Sequence, residues 1–160
     1  MLIKEPVDSD IPKLVDIAIE TFGNFYEGYV HPLLGDEIFQ HQHGRWRGDY
    51  QDEIPSLHYP EGGKNIAVAE IDDAIVGFVA WKTGAKPNHG EIYLLAVLPK
   101  NRRGSVGRQL CVHAIQEMKS RGVEVVEVGT GGDDFHAPAR ALYESLGFTM
   151  IPVAAYLKKI

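Results

Sequence analysis

Between residues 11 and 22, apolar side chains fall at Ile11, Leu14, Val15, Ala18 and Phe22, the i, i+3, i+4, i+7 rhythm of one helix face. Asp8 and Ser9 offer cap oxygens ahead of it, and Pro12 suits its first turn. Residues 2–5 read as a short first strand. From residue 64 the rhythm changes. Residues 66–71 and 75–81 are strands, joined into a hairpin by a turn at Asp72 and Asp73. A loop over 83–89 leads into a third clear strand, 91–97, ended by Pro99. Residues 104–121 then form a helix with Gly107, Leu110, Cys111, Ala114 and Met118 as its stripe and Gly122 as its stop. Residues 123–128 are almost unbroken apolar, the pattern of a strand covered on both faces. A short helix over 136–146 carries Ala139, Leu142, Tyr143 and Leu146 on one face, with Pro138 early and Gly147 at C′. Residues 148–151 and 153–157 read as closing strands.

Residues 23–63 lack such a rhythm. They are rich in aromatics and histidine (Phe25, Tyr26, Tyr29, His31, Phe39, His41, His43, Trp46, Tyr50) and read as one helix within 36–46, then a loop through Pro55 and Pro60. A long irregular segment in a compact domain is commonly functional, so this one is a candidate substrate wall or lid. The whole order is β-α-α-β-β-β-α-β-α-β-β, an α/β (mixed α+β) chain with helices on the faces of a mixed sheet. The unit 91–128 is a strand, a helix and a strand, expected to pair in parallel with a right-handed crossover.

Length and composition narrow the class. A chain of 160 residues with 44% apolar and 24% charged side chains suits one compact domain, 1–160, that needs no staple. The single cysteine, Cys111, excludes an internal disulfide and a Cys-rich zinc site. No apolar run is long enough for a signal peptide or a membrane span, so cytoplasm is the expected location and no membrane partner is expected. The net charge of −6 argues against a nucleic-acid surface. It suits a cationic substrate as well as plain solubility.

The chemistry collects where the strand 91–97 passes through Leu98, Pro99, Lys100 and Asn101 into Arg102, Arg103, Gly104, Ser105, Val106, Gly107 and Arg108. A turn of small residues at a helix start exposes main-chain N–H groups at the positive end of the helix dipole. Gly104 and Gly107 admit close backbone approach, and three arginines surround it. A pyrophosphate fits such a site. The spacing is neither that of a Walker loop nor that of a dinucleotide fingerprint. On its own, the turn also fits a basic helix start with no ligand.

The wider pattern resembles the GNAT superfamily of N-acetyltransferases. Their signature [QR]-x-x-G-x-[GA] follows a strand ending apolar-Ala-Val-x-Pro. Here the strand ends Leu95, Ala96, Val97, Leu98, Pro99, and Arg102 and Gly107 match, with Ser105 where the first glycine is usual. The family's N-x-x-A-x-x-x-Y-x-x-x-G-F helix reads here as His136, Ala139, Tyr143, Gly147 and Phe148, with histidine in place of asparagine. The resemblance covers about residues 64–157. It implies a central mixed, mostly antiparallel sheet of six to seven strands with about four helices. It also implies acetyl-CoA as acyl donor, held by Leu95, Ala96 and Val97 along the pantetheine arm, by Arg102 to Arg108 (Arg102, Arg103, Gly104, Ser105, Val106, Gly107, Arg108) at the pyrophosphate, and by His136. Tyr143 would be the general acid beside the sulfur.

Transfer to an amine also needs a base. Glu91 opens the strand that carries Leu95 and Val97, so its carboxylate is one candidate; as a plain strand-end charge it needs no such role. Asp133 and Asp134 are rivals, or caps of the helix at His136. Tyr143 also fits a core aromatic, and Cys111 on its apolar stripe fits a packed thiol rather than a nucleophile. His41 and His43 share no helix face and lack a carboxylate partner, so no metal site is expected. Trp46, between Arg45 and Arg47, could pack over a substrate pocket, but an ordinary amphipathic surface helix is the plainer reading.

The expected activity is direct acetyl transfer to a primary amine of a small molecule or peptide, with acceptor specificity in 23–63. A non-catalytic acyl-CoA sensor would need the turn but neither Tyr143 nor a base. Transfer to a protein N-terminus or lysine would need an open groove. Strand edges near the C-terminus are of the kind that pair in homodimers.

Overall fold

Asp72 and Asp73 both take positive φ (50° and 60°), the geometry whose twist matches that of the strands on either side. The hairpin they close joins β2 (Lys64–Ile71) to β3 (Ala74–Thr83). The computed structural model describes residues 1–58, 63–84 and 86–160. Its strands run in the order β1 (Leu2–Lys4), β2, β3, β4 (His89–Val97), β5 (Val125–Val128). The first three pairings are antiparallel and β4 pairs with β5 in parallel, as the βαβ reading requires.

Period-two alternation gives the sheet two apolar faces. Ala67, Ala69, Val79, Trp81 and Ile92 meet Leu110, Cys111, Ala114 and Met118 of α4 (Val106–Ser120). Ile66, Val68, Phe78 and Ala80 meet Leu14, Ile17 and Ala18 of α1 (Ile11–Phe25) and Ile54 and Leu57 of α3 (Trp46–His58). Leu14, Ile17 and Phe78 are fully buried. Each such side chain contributes about 1.5–3 kcal/mol relative to exposure, so these faces hold the sheet between its helices.

Three sequence expectations are corrected. Residues 23–58 are helical: α1 continues through a π turn (Tyr26–Val30) into α2 (His31–His43), which bends at Gly35 (φ 73°), and α3 follows. Pro55 lies inside α3, and Pro60 falls outside the described residues. Apart from Ile54 and Leu57, which reach the sheet, the buried side chains here are mainly aromatics stacked on one another rather than a stripe on the sheet. Tyr26 stacks on Trp46 at 4.7 Å and His31 on Phe39 at 4.3 Å. Helical periodicity is weak for that reason.

β5 is an edge strand of alternating exposure, with Val125 55% exposed, and is not covered on both faces. Its valines suit a strand whether or not a neighbour covers it. Residues 148–157 form no strand in the described structure, so the sheet has five strands rather than six or seven. Residues 149–160 are exposed, Pro152 has no N–H to give a ladder, and Lys159 reaches Glu37 of α2 instead. Among the described residues, no helix is long and apolar enough to cross a membrane.

Candidate active site

β4 and β5 pair only from His89 with Val125 to Ile92 with Val128. Tyr93 to Val97 continue with no partner on that side, while the chain beyond β5 turns away through residues 129–136 into α5 (Ala137–Ser145). The two strands therefore part into a cleft, leaving main-chain groups of β4 unpaired along it. α1 spans the opening. The hydroxyl of buried Thr21 donates to the Val97 carbonyl at 3.4 Å, and one helical turn on, the Phe25 ring meets His136 edge-on at 4.5 Å. Thr21 does not stand out in the sequence, where it is an ordinary helix position; Phe25 belongs to the aromatic-rich segment 23–63 read as a candidate substrate wall or lid.

The basic turn begins just past the end of β4. After the 3-10 turn Pro99–Asn101, Arg103 (φ 70°) and Ser105 (φ 64°) take the left-handed conformation. That conformation costs an L-residue roughly 1–2 kcal/mol, which is the physical reason glycine is usual at the position of Ser105. Among the described residues, the amides of Arg103, Gly104 and Ser105 make no main-chain hydrogen bond. α4 starts with no side-chain cap and no acidic residue in its first turn. Unengaged donors at a helix N-terminus free of acid fit a pyrophosphate. A Cβ on Gly107 would meet Leu142 at 3.4 Å, with Val97 and Leu95 just beyond, all ordinary contact distances where α4 packs on β4 and α5.

The three arginines divide their work. Arg102 turns inward, donating to the carbonyls of Val97 (3.2 Å) and Thr21 (3.3 Å). Arg108 donates to the Ser145 hydroxyl at 3.0 Å, tying α4 to the end of α5. Arg103 is exposed and has no partner among the described residues.

Tyr143 is buried on α5, two helical turns beyond His136. Its phenol has no hydrogen-bond partner among the described residues, and burial pushes its pKa up, so it keeps its proton at neutral pH. Burial also pushes the Cys111 thiol up to about 12, which leaves little thiolate for nucleophilic work. Glu91 stands on the paired half of β4, opposite Glu127 of β5, with Lys82 on its carboxylate at 2.8 Å.

Asp133 grips the residue just before α5: its Oδ1 accepts the His136 N–H at 3.1 Å, and its Oδ2 lies 2.8 Å from His136 Nδ1. Burial pushes the Asp133 carboxyl up, but the hydrogen bonds and charge of His136 outweigh this and hold it below its usual value. Asp134 is exposed. Trp46, read as a surface residue, is buried: its indole donates to Glu27 at 3.0 Å, beneath the Arg47 guanidinium, 4.1 Å from the ring centroid. Among the described residues, no group of three or more His, Cys, Asp or Glu is placed to hold a metal ion.

The model of the acetyltransferase (GNAT) family matches residues 35–148. Mycothiol acetyltransferase of Streptomyces bingchenggensis is 34% identical over 90 residues, 56% of this chain and 28% of that protein. The chain thus spans less than a third of the length of that relative. Among solved structures, the PaiA N-acetyltransferase of Thermoplasma acidophilum in complex with coenzyme A has a TM-score of 0.74 at 19% identity, covering 96% of this chain and 92% of that one. An aminoglycoside 6′-N-acetyltransferase of Acinetobacter haemolyticus has a TM-score of 0.70 at 17% identity, covering 100% and 99%. At such identities these structures speak for the fold.

Proposed function

The chain belongs to the acetyltransferase (GNAT) family, and from that membership we propose that it moves an acetyl group from acetyl-CoA to a primary amine of a small molecule or peptide. The observation that carries this reading is the run of unengaged amides at Arg103, Gly104 and Ser105, set at the mouth of a cleft along the unpaired stretch of β4. In it, residues 1–160 act as one domain. The amides of the turn and Arg103 hold the pyrophosphate, and Arg102 and Arg108 keep the turn in place. Main-chain groups of Leu95, Ala96 and Val97 line the pantetheine arm, and His136 faces it across the cleft. Acetyl-CoA brings an acyl group already activated as a thioester.

Amines of the lysine type have a pKa near ~10.4, so on the order of one molecule in a thousand is free base at neutral pH. The site must take a proton from the nitrogen and give one to the departing sulfur. Tyr143, held protonated by burial, is suited to the second task. Two groups compete for the first: Glu91, already engaged by Lys82, and the Asp133–His136 pair. The acceptor lies against α1, α2 and α3, the helices of residues 23–58, where the aromatic cluster around Tyr26 and Trp46 shapes the wall. Two of the named relatives carry small molecules in their names, mycothiol and an aminoglycoside antibiotic, which supports an acceptor of that size.

Calorimetry with CoA and thiol release from acetyl-CoA over a panel of amines test the reading together. Binding with turnover supports it. Binding without thiol release turns it into the sensor, and no binding by folded protein ends it.

A further inference from the structure

We propose that His136, oriented by Asp133, takes the proton from the acceptor amine; this rests on the acetyl-transfer reading above. An ionised carboxylate only accepts hydrogen bonds, so the 2.8 Å contact from Asp133 Oδ2 places the hydrogen on His136 Nδ1. Nε2 then keeps its lone pair, and it has no protein partner among the described residues. This is the arrangement in which an aspartate fixes the tautomer of a histidine base.

The loop is built to hold that geometry. Arg140 donates to the carbonyls of Gly131 (2.7 Å) and Asp133 (2.6 Å), folding the chain back on itself. Gly131 leaves the space the pair occupies, because a Cβ there would collide with Asp133 Oδ2 and the His136 ring. The Asp133 side chain is 9% exposed and that of His136 16%, so water screens the contact weakly.

Placement in the cleft comes from α1. Thr21 meets Val97 on one wall and Phe25 meets His136 on the other, and these two α1 residues are one turn apart. His136 therefore stands across the cleft from the unpaired stretch of β4. The groups that face its ring are Asp133 from its own loop, with Arg140 behind the loop carbonyls, neighbouring Phe135, and uncharged Phe25 from α1, backed by Tyr26 and Tyr29. Glu91 lies on the paired half of β4 and is already bridged by Lys82.

The proton count closes. Two protons leave the nitrogen as the C–N bond forms and the C–S bond breaks. His136 Nε2 takes the first from the ammonium and returns it to solvent. The second replaces, through water, the proton that Tyr143 gives to the sulfur. Asp133 touches neither reactant and is a positioning residue.

Two measurements decide. In ring ¹H–¹⁵N spectra the neutral His136 imidazole carries its hydrogen on Nδ1, and Asp133→Asn moves it to Nε2. In pH-resolved kinetics, His136→Asn and His136→Gln each lower kcat by about 10²-fold and abolish its fall toward acid pH. Glu91→Gln keeps the acid limb. An Nε2–H tautomer in the wild-type protein, or an acid limb that survives in both His136 variants, overturns the assignment while the acetyl-transfer reading stands. Absence of thiol release by the wild-type protein overturns both.

Discussion

The Arg102 guanidinium donates to the main-chain carbonyl of Val97 at 3.2 Å, and a second of its nitrogens reaches the Thr21 carbonyl at 3.3 Å. One side chain thus fastens the end of β4, the start of the basic turn and the middle of α1. The residue that heads the family's phosphate signature thus has guanidinium nitrogens engaged by two main-chain carbonyls, although the residue as a whole is exposed. Its neighbour Arg103 is exposed.

The two arginines should therefore separate by experiment. Arg102→Ala removes charge-assisted hydrogen bonds to two carbonyls and is expected to cost about 1–2 kcal/mol in urea denaturation. Arg103→Ala should leave stability within about 0.5 kcal/mol and weaken CoA binding about tenfold in calorimetry. The reverse pattern would return the phosphate role to the Arg102 side chain.

Ser105 carries backbone strain at φ 64°. Ser105→Gly relieves it while losing the exposed bond from Gln109 and loosening the unfolded chain, so stability should hold or rise by up to about 1 kcal/mol. Ser105→Val forces a β-branched side chain into the same conformation and should cost about 1–2 kcal/mol. Chemical denaturation of the pair checks the sign.

Tyr143→Phe keeps the ring that packs against Phe148 and removes only the phenol hydrogen donor. The variant should fold, bind CoA within about threefold of wild type, and turn over about 10²-fold more slowly. Unchanged kcat would make Tyr143 a core aromatic and nothing more.

Acid should loosen the loop before α5. The Asp133 carboxyl is held below its ordinary value of 3.8 by His136, so the folded state binds that proton less readily than the unfolded chain. The stability it contributes is present above the unfolded value and is lost as pH falls from there through the lower folded one. Denaturation midpoints between pH 6 and pH 3 should fall more steeply for the wild type than for Asp133→Asn, which lacks the titrating group. Equal slopes would mean the contact contributes nothing to folding.

Local chemistry accounts for what was legible in the residues alone. The Asp72–Asp73 turn, the α4 stripe, the β4–α4–β5 unit and the uncapped basic turn depend on neighbours within a few positions, and each stands where periodicity and turn chemistry put it. Tertiary contact decided the rest. The helices over residues 26–58 are held largely by aromatic rings packed on one another, with only Ile54 and Leu57 of α3 reaching the sheet, which leaves no regular stripe to read. The exposure of β5 and of the chain after Phe148 depends on which edges find partners, and alternation carries no such information. That Thr21 and Phe25 bridge the cleft, that Arg102 faces inward and that Asp133 grips His136 are matters of where separate elements meet. No spacing along the chain encodes them.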